Sequence, residues 1–158
     1  MRNERLEELV EESIRLELNV GELYRIYSEA YPEDNEFWWQ LHLEEKSHAT
    51  LLRAARDSFI KRDKFPVDMV ADSIDDLKTS NQKIEGLIAQ FKNNPPERYE
   101  ACRIAVELEN EAGELHYTRF MEREASTSVE NVFQQLNRGD KEHEQRIRTH
   151  CESIGAEV

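Results

Sequence analysis

Two short stretches decide the fold of this chain: LELNVGELY at residues 16–24 and LENEAGELH at residues 108–116. They share Leu, Glu, Gly, Glu and Leu at matching places. Each is followed by a second related stretch, EKSHATLLR at residues 45–53 and DKEHEQRIR at residues 140–148. This second pair shares an acidic residue, a Lys, a His, an aliphatic residue and an Arg. Such internal repetition indicates that one unit is used twice. The unit is a helix with a Glu, then a helix with an acid and, three residues later, a His.

The composition is typical of one soluble helical domain spanning residues 1–158. Hydrophobic residues make up 38% of the chain and charged residues 35%, and five Gly and four Pro predict long helices with few breaks. No apolar run approaches the roughly 20 residues that span a bilayer, so we expect no membrane contact. The charged N-terminus is followed by no apolar region, so no signal peptide is expected.

The net charge of −13 argues against a nucleic-acid partner, because phosphate binding relies on clustered Lys and Arg. The charge could attract cations such as Fe²⁺, or it could serve solubility alone. Cys102 and Cys151 are too few and too far apart for a disulfide framework or a Cys-x-x-Cys metal site. We therefore expect two unpaired thiols and a cytoplasmic location.

The first half reads as a helical hairpin. Apolar periodicity predicts a helix from residue 4 to about 30 and another from 36 to about 61. Pro32 ends the first helix. Asp34 or Asn35 is the candidate N-cap of the second helix. Glu17 lies on the apolar face of the first helix. Glu45 and His48 lie three residues apart in the apolar stripe of the second helix, so they point the same way.

The second half repeats this pattern after a connecting segment. Residues 67 to about 93 predict one or two helical pieces that form a long crossover, and Pro95 and Pro96 follow. The third helix is predicted from 97 to about 124, with Glu109 on its apolar face and Glu107 and Glu111 as competing neighbours. The capping-box pattern Thr127–Glu130 opens the last helix, which carries Asp140 and His143 on its apolar stripe.

The candidate acids lie at matching heights in the two hairpins. Residues equally far from a helical turn sit level, because each residue adds about 1.5 Å of rise. The midpoint between Glu17 and Glu45 is Tyr31, next to the Pro32 break. The midpoint between Glu109 and Asp140 falls beside the cap that opens the last helix. Each pair should therefore meet about halfway along its hairpin.

Four helices arranged in this way would bring four acids and two His residues into one buried layer. Buried carboxylates without a counter-charge are costly through desolvation and mutual repulsion. Two divalent metal ions would remove that cost, and mixed carboxylate and imidazole ligands suit iron or manganese, with zinc possible. A Glu from each of two helices and a Glu-x-x-His from the other two is the ligand set of di-iron carboxylate bundles.

The chain resembles the rubrerythrin branch of the ferritin-like superfamily from about residue 12 to 154. The resemblance is carried by Glu17 with Tyr24 seven residues on, by FWWQL at 37–41 leading to Glu45-x-x-His48-Ala49, and by Glu109 and His143. It implies an all-α ferritin-like antiparallel four-helix bundle with a long helical crossover between helices 2 and 3. It also implies a non-haem di-iron centre whose ligands are Glu17, Glu45, His48, Glu109, Asp140 and His143.

The resemblance further implies an oxidoreductase that reduces hydrogen peroxide or oxygen. Tyr24 would hydrogen-bond a ligand carboxylate, and His116 is a further candidate beside the site. The chain departs from the family at Asp140, where the usual acid is Glu, and at Ala112, where rubrerythrins carry an additional Glu. It also ends without a rubredoxin module, so electrons are expected from a separate redox partner protein.

Two other functions remain open from the sequence. An iron-binding protein for ferroxidase work or storage would treat the metal as substrate. A metal-free helical interaction domain would keep the motif without its ion. Phe37 and Trp39 could form a homodimer surface in any of the three cases.

Overall fold

The computed structural model describes residues 2–67, 70, 73–111, 119–136 and 143–158. In these ranges the ordered elements are helical and no strand is present, so the all-α class is confirmed. We number the α-helices in chain order: α1 (Arg2–Ala30), α2 (Asn35–Phe59), α3 (Ile74–Phe91), α4 (Arg98–Glu109), α5 (Ser128–Leu136) and α6 (His143–Ser153). A four-helix bundle stays a prediction.

Helices α1 and α2 form the predicted hairpin and share the most extensive helix–helix contact of the described residues. A short 3₁₀ turn over Pro32–Asp34 separates them, as expected for a Pro that fits the start of a helix. Their interface is lined by apolar and aromatic side chains. Tyr27 packs against Trp38 with ring centroids 5.1 Å apart, and both rings are fully buried.

Asp34 occupies the N-cap position of α2, but its side chain does not cap the helix. Its carboxylate instead accepts two hydrogen bonds of 2.6 Å from Arg98 at the start of α4, and lies 2.9 Å from Nε2 of His150 in α6. The ring of His150 also stacks on Phe37. This buried carboxylate therefore ties the turn of the first hairpin to both α4 and α6.

Helix α3 lies in the predicted crossover and packs along α1. Ser73 caps its N-terminus by accepting a hydrogen bond from the backbone of Asp76. Asn81, which is fully buried in α3, donates to the backbone oxygen and the side chain of Glu12. The crossover thus adds a further helix to one side of the first hairpin.

The third predicted helix ends earlier than expected. Helix α4 stops at Glu109, and Asn110 and Glu111 form a turn in which their backbone N–H groups bond back three residues. The side chain of Asn110 donates to the backbone oxygen of Val106, a local bond that competes with helix continuation. The prediction of an uninterrupted helix from 97 to 124 is therefore wrong at Asn110.

Helix α5 begins with the predicted capping box. The hydroxyl of Thr127 accepts from the backbone N–H of Glu130, and the carboxylate of Glu130 accepts from the backbone N–H of Thr127. Arg123 adds a hydrogen bond of 2.5 Å to the same carboxylate. These bonds define where the chain turns into the last predicted helix, whose described parts are α5 and α6.

A disulfide joins Cys102 in α4 to Cys151 in α6, with Cα atoms 6.0 Å apart. The expectation of two unpaired thiols is therefore wrong, and it no longer supports a reducing compartment. The two helices pack side by side, which brings residues 49 positions apart in the sequence within normal disulfide reach. Both sulfurs are buried.

Two features bear on the outer surface. No helix in the described ranges is both long and apolar enough to cross a membrane. Trp39 is 44% exposed on α2, and Leu43 one turn later is exposed as well. Phe37, by contrast, is partly covered by the ring of His150.

Candidate metal centre

Five of the six predicted metal ligands meet in the interior. Glu17 comes from α1, Glu45 and His48 from α2, Glu109 from the last position of α4, and His143 from the first position of α6. All five side chains belong to residues that are no more than 6% exposed. Asp140 and His116 lie outside the described residues, as does Ala112.

The first ligand group consists of Glu17, Glu45 and His48. Nδ1 of His48 lies 3.5 Å from a carboxylate oxygen of Glu17 and 3.5 Å from one of Glu45. One ligand atom from each residue falls within 4.8 Å of the others. The group could therefore hold a metal ion between two carboxylates and an imidazole.

The second ligand group consists of Glu45, Glu109 and His143. Nδ1 of His143 lies 2.9 Å from Oε1 of Glu45 and 3.7 Å from Oε1 of Glu109. Its ligand atoms also fall within 4.8 Å of one another. The imidazoles of His48 and His143 lie nearly parallel, with centroids 5.4 Å apart. The two groups are therefore neighbours, and Glu45 belongs to both.

The close approach of α1 and α2 at this level depends on Gly21. A Cβ added at Gly21 would lie 3.2 Å from the Cβ of Glu45 and 3.6 Å from the backbone oxygen of His42. Nδ1 of His42 also hydrogen-bonds the backbone oxygen of Gly21 at 2.8 Å. The glycine in this helix therefore leaves room for the shared carboxylate, which accounts for a residue that otherwise weakens a helix.

Tyr24 hydrogen-bonds the carboxylate of Glu109, one of the predicted ligands. Its buried hydroxyl lies on α1, two turns after Glu17, and donates to Oε1 of Glu109 at 2.5 Å.

Glu107 and Glu111 do not take the inward position. Glu107 is exposed and pairs with Arg103, and Glu111 pairs with Lys83 at 2.8 Å. Of the three acids in this stretch, Glu109 is therefore the one that faces the site.

The crowding of buried carboxylates shifts their pKa values apart. Burial, and then repulsion from Glu45, raises the pKa of Glu17 to about 8. Burial acts on Glu45 in the same direction, but its interactions with Glu17 and with the His143 imidazole outweigh burial and hold the pKa of Glu45 below its usual range. Near neutral pH the carboxyl group of Glu17 therefore favours its protonated form, whereas that of Glu45 favours the charged form.

Glu44 and Arg146 are neighbours of the site that the sequence patterns did not single out. Both carboxylate oxygens of Glu44 accept from the guanidinium of Arg146, at 2.6 and 2.8 Å. Oε1 of Glu44 also lies 3.5 Å from Nε2 of His143. Burial would raise the pKa of Glu44, but Arg146 and His143 lower it to about 2. In the sequence, the only sign that Glu44 lies near the site was its position next to Glu45.

The donor set of each group could hold a metal ion. Carboxylate and imidazole ligands together suit iron, manganese or zinc. Oε2 of Glu17, Oε2 of Glu45 and Nε2 of His143 are buried and make no hydrogen bond of normal geometry within the described part of the chain. Buried polar atoms are rarely left in this state, and a bound cation would satisfy the two carboxylate oxygens in particular.

Comparisons with protein-family models, with curated proteins and with solved structures found no match to this chain.

Proposed function

We propose that this protein is a non-haem di-iron oxidoreductase of rubrerythrin type, within a ferritin-like four-helix bundle. It would reduce hydrogen peroxide or oxygen with electrons from a separate redox partner protein. The observation that carries the proposal is the placement of Glu45 between two groups that could each hold a metal ion. A shared carboxylate with one imidazole on either side is the arrangement expected of a two-metal site.

Within this proposal, Glu17 and His48 would hold one ion and Glu109 and His143 the other, with Glu45 common to both. Bound iron would supply the electron transfer that the protein side chains cannot provide. The deep burial of all five residues restricts access to small reactants and keeps bulk water away from them. Both properties favour peroxide or oxygen over a larger substrate.

Two protein groups would manage position and charge at this site. Tyr24 holds the Glu109 carboxylate by its 2.5 Å hydrogen bond and keeps that ligand aimed at the second group. Glu17 retains a proton in the metal-free protein, so binding of a cation would release it and leave the carboxylate as a ligand.

The proposal is tested by metal content and anaerobic Fe²⁺ titration of protein purified without chelator. We expect about two irons per chain, and an absorbance change when peroxide is added to the reduced, loaded protein. Glu45→Ala should abolish binding of both ions because this residue serves both groups. Glu107→Ala is the matched control, since Glu107 lies on the surface of the same helix as Glu109 and should leave both ions bound.

Two other results would redirect the assignment. Iron uptake far beyond two ions per chain, in a large assembly seen by size-exclusion chromatography, would favour storage. Absence of any metal after purification and titration would refute both the enzyme and the storage functions. A metal-free interaction domain would then explain the helices, and chelators would leave the stability unchanged.

A further inference from the structure

His143 presents its two ring nitrogens to different carboxylates. Nδ1 faces the second ligand group, 2.9 Å from Glu45 and 3.7 Å from Glu109. Nε2 points away from that group and lies 3.5 Å from Oε1 of Glu44. A neutral imidazole that binds a metal through one nitrogen carries its proton on the other. With Nδ1 as the ligand atom, the proton would therefore lie on Nε2 and face Glu44.

Glu44 is fixed in place by a second charged group. It is buried on α2, and its two oxygens are held by the planar guanidinium of Arg146, which follows His143 by three residues on α6. Paired N–H donors on one carboxylate specify orientation as well as strength. The pair therefore connects α2 to α6 directly behind His143 and leaves Glu44 little freedom to turn away.

We infer that Glu44 and Arg146 are positioning residues for the candidate metal centre, in which Glu44 orients the His143 imidazole with Nδ1 toward the metal and Arg146 holds Glu44. This inference rests on the proposed two-metal function. Partners of this kind fix the tautomer and direction of a metal-binding His, and their loss usually weakens metal binding 10- to 100-fold. The effect should be greater at the second ligand group, which contains His143, than at the first.

The test compares two charge-pair replacements in the full chain. In Glu44→Leu with Arg146→Met, both charges are removed together, so no unpaired buried charge remains and folding should be kept. The control is Glu85→Leu with Arg15→Met, which removes a similar bidentate pair, with contacts of 2.7 and 2.6 Å, on the surface between α3 and α1. Anaerobic Co²⁺ titration by calorimetry gives affinities, and the visible Co²⁺ absorption reports the ligands.

For the wild-type protein we expect two bound ions. The control replacement should bind both ions with the wild-type affinities and give the wild-type spectrum. For the Glu44 and Arg146 replacement we expect one of the two affinities to fall about 10- to 100-fold, with a changed visible spectrum. The melting temperature of the metal-free protein should stay near the wild-type value. Glu44→Gln alone keeps an acceptor oxygen and the side-chain shape, and it should give a smaller loss at the same ion.

Each other result overturns the inference in a distinguishable way. Wild-type affinities and spectrum in the folded Glu44 and Arg146 replacement would show that the pair does not position His143. Equal weakening of both ions, or the same weakening in the control, would show a general effect of charge. If the double replacement does not fold, wild-type binding by Glu44→Gln overturns the inference. A wild-type protein that binds no Co²⁺ and no Fe²⁺ refutes the proposed function itself, and the inference with it.

Discussion

Removal of the disulfide should destabilise the protein through its unfolded state. Cys102 and Cys151 are 49 positions apart, and a cross-link over a loop of that size lowers the entropy of the unfolded chain. The loop-entropy relation gives about 4 kcal/mol at 25 °C for this separation. In the folded protein both residues are buried between α4 and α6, and Ala at both positions removes only one sulfur atom from each helix.

The assay is urea denaturation of the wild-type protein and of Cys102→Ala with Cys151→Ala, followed by circular dichroism at 222 nm. We expect the free energy of unfolding to fall by about 4 kcal/mol, with a larger denaturant slope because the uncrosslinked chain exposes more surface. Denaturation of the wild-type protein with a reductant present should give a similar midpoint. A loss below about 1 kcal/mol would refute the loop-entropy reasoning for this chain.

The same variant separates global stability from the metal centre. Cys102 precedes Glu109 by about two helical turns, and Cys151 follows His143 by about two, which places the disulfide roughly 10 Å along the helices from the ligands. Because the cross-link acts mainly on the unfolded chain, the folded variant should bind metal ions in the wild-type ratio. A changed metal stoichiometry would show that the disulfide shapes the site itself.

Three further predictions concern the site. Glu17→Gln should abolish metal binding at the first group, yet at pH 9 it should stabilise the metal-free protein by about 1–3 kcal/mol in urea denaturation. The pKa of Glu17 near 8 in the folded protein exceeds its value in the unfolded chain, so wild-type stability falls as the pH rises between these two values. Gly86→Ala, with nothing within 4 Å of its new Cβ, should gain about 0.5–1 kcal/mol, whereas Gly21→Ala should gain less and weaken metal binding by titration, because its Cβ crowds Glu45. Tyr24→Phe should lower the free energy of unfolding of the metal-free protein by about 1.5–3 kcal/mol, because the buried Glu109 carboxylate loses a charge-assisted hydrogen bond. An unchanged melting temperature in thermal unfolding would contradict this prediction.

The helices of the first hairpin were predictable because local signals agree with packing. Apolar residues repeat at helical spacing on both sides of Pro32, and the hydrophobic interface between α1 and α2 uses that same pattern. The capping box at Thr127 was predictable for a similar reason, since its partners lie three residues apart. Placing Glu45 and His48 together needed only helical geometry and the knowledge that their stripe is apolar.

The end of α4 was not predictable from periodicity. The apolar spacing continues past Glu109, but the amide of Asn110 bonds back to Val106 and the chain turns. The pairing of Cys102 with Cys151 was missed because it depends on how α4 and α6 lie against each other, which spacing along one helix does not determine. A local side-chain bond decided the first feature, and a tertiary contact between two helices decided the second.

Glu44 shows the same limit within the site. Taken alone it is one acid among many on a strongly acidic chain, next to a better candidate. Its role arises from Arg146, 102 positions away, which neutralises it and holds it against the back of His143. No periodicity on α2 distinguishes such a residue from an exposed Glu, so the structure was needed to identify it.

The strongest case for a bound cation is the combination of charge and burial. Glu17, Glu45 and Glu109 are buried together with two imidazoles. Well-packed apolar residues of similar volume often make a core at least as stable as buried charged groups do. A purely structural role therefore gives no reason to bring three carboxylates into one layer, where one of them must keep a proton to be tolerated. Divalent ions would replace that proton and turn the repulsion into ligation. If Glu17→Gln stabilises the metal-free protein and abolishes metal binding, the carboxylate of Glu17 lowers stability and serves to bind the ion.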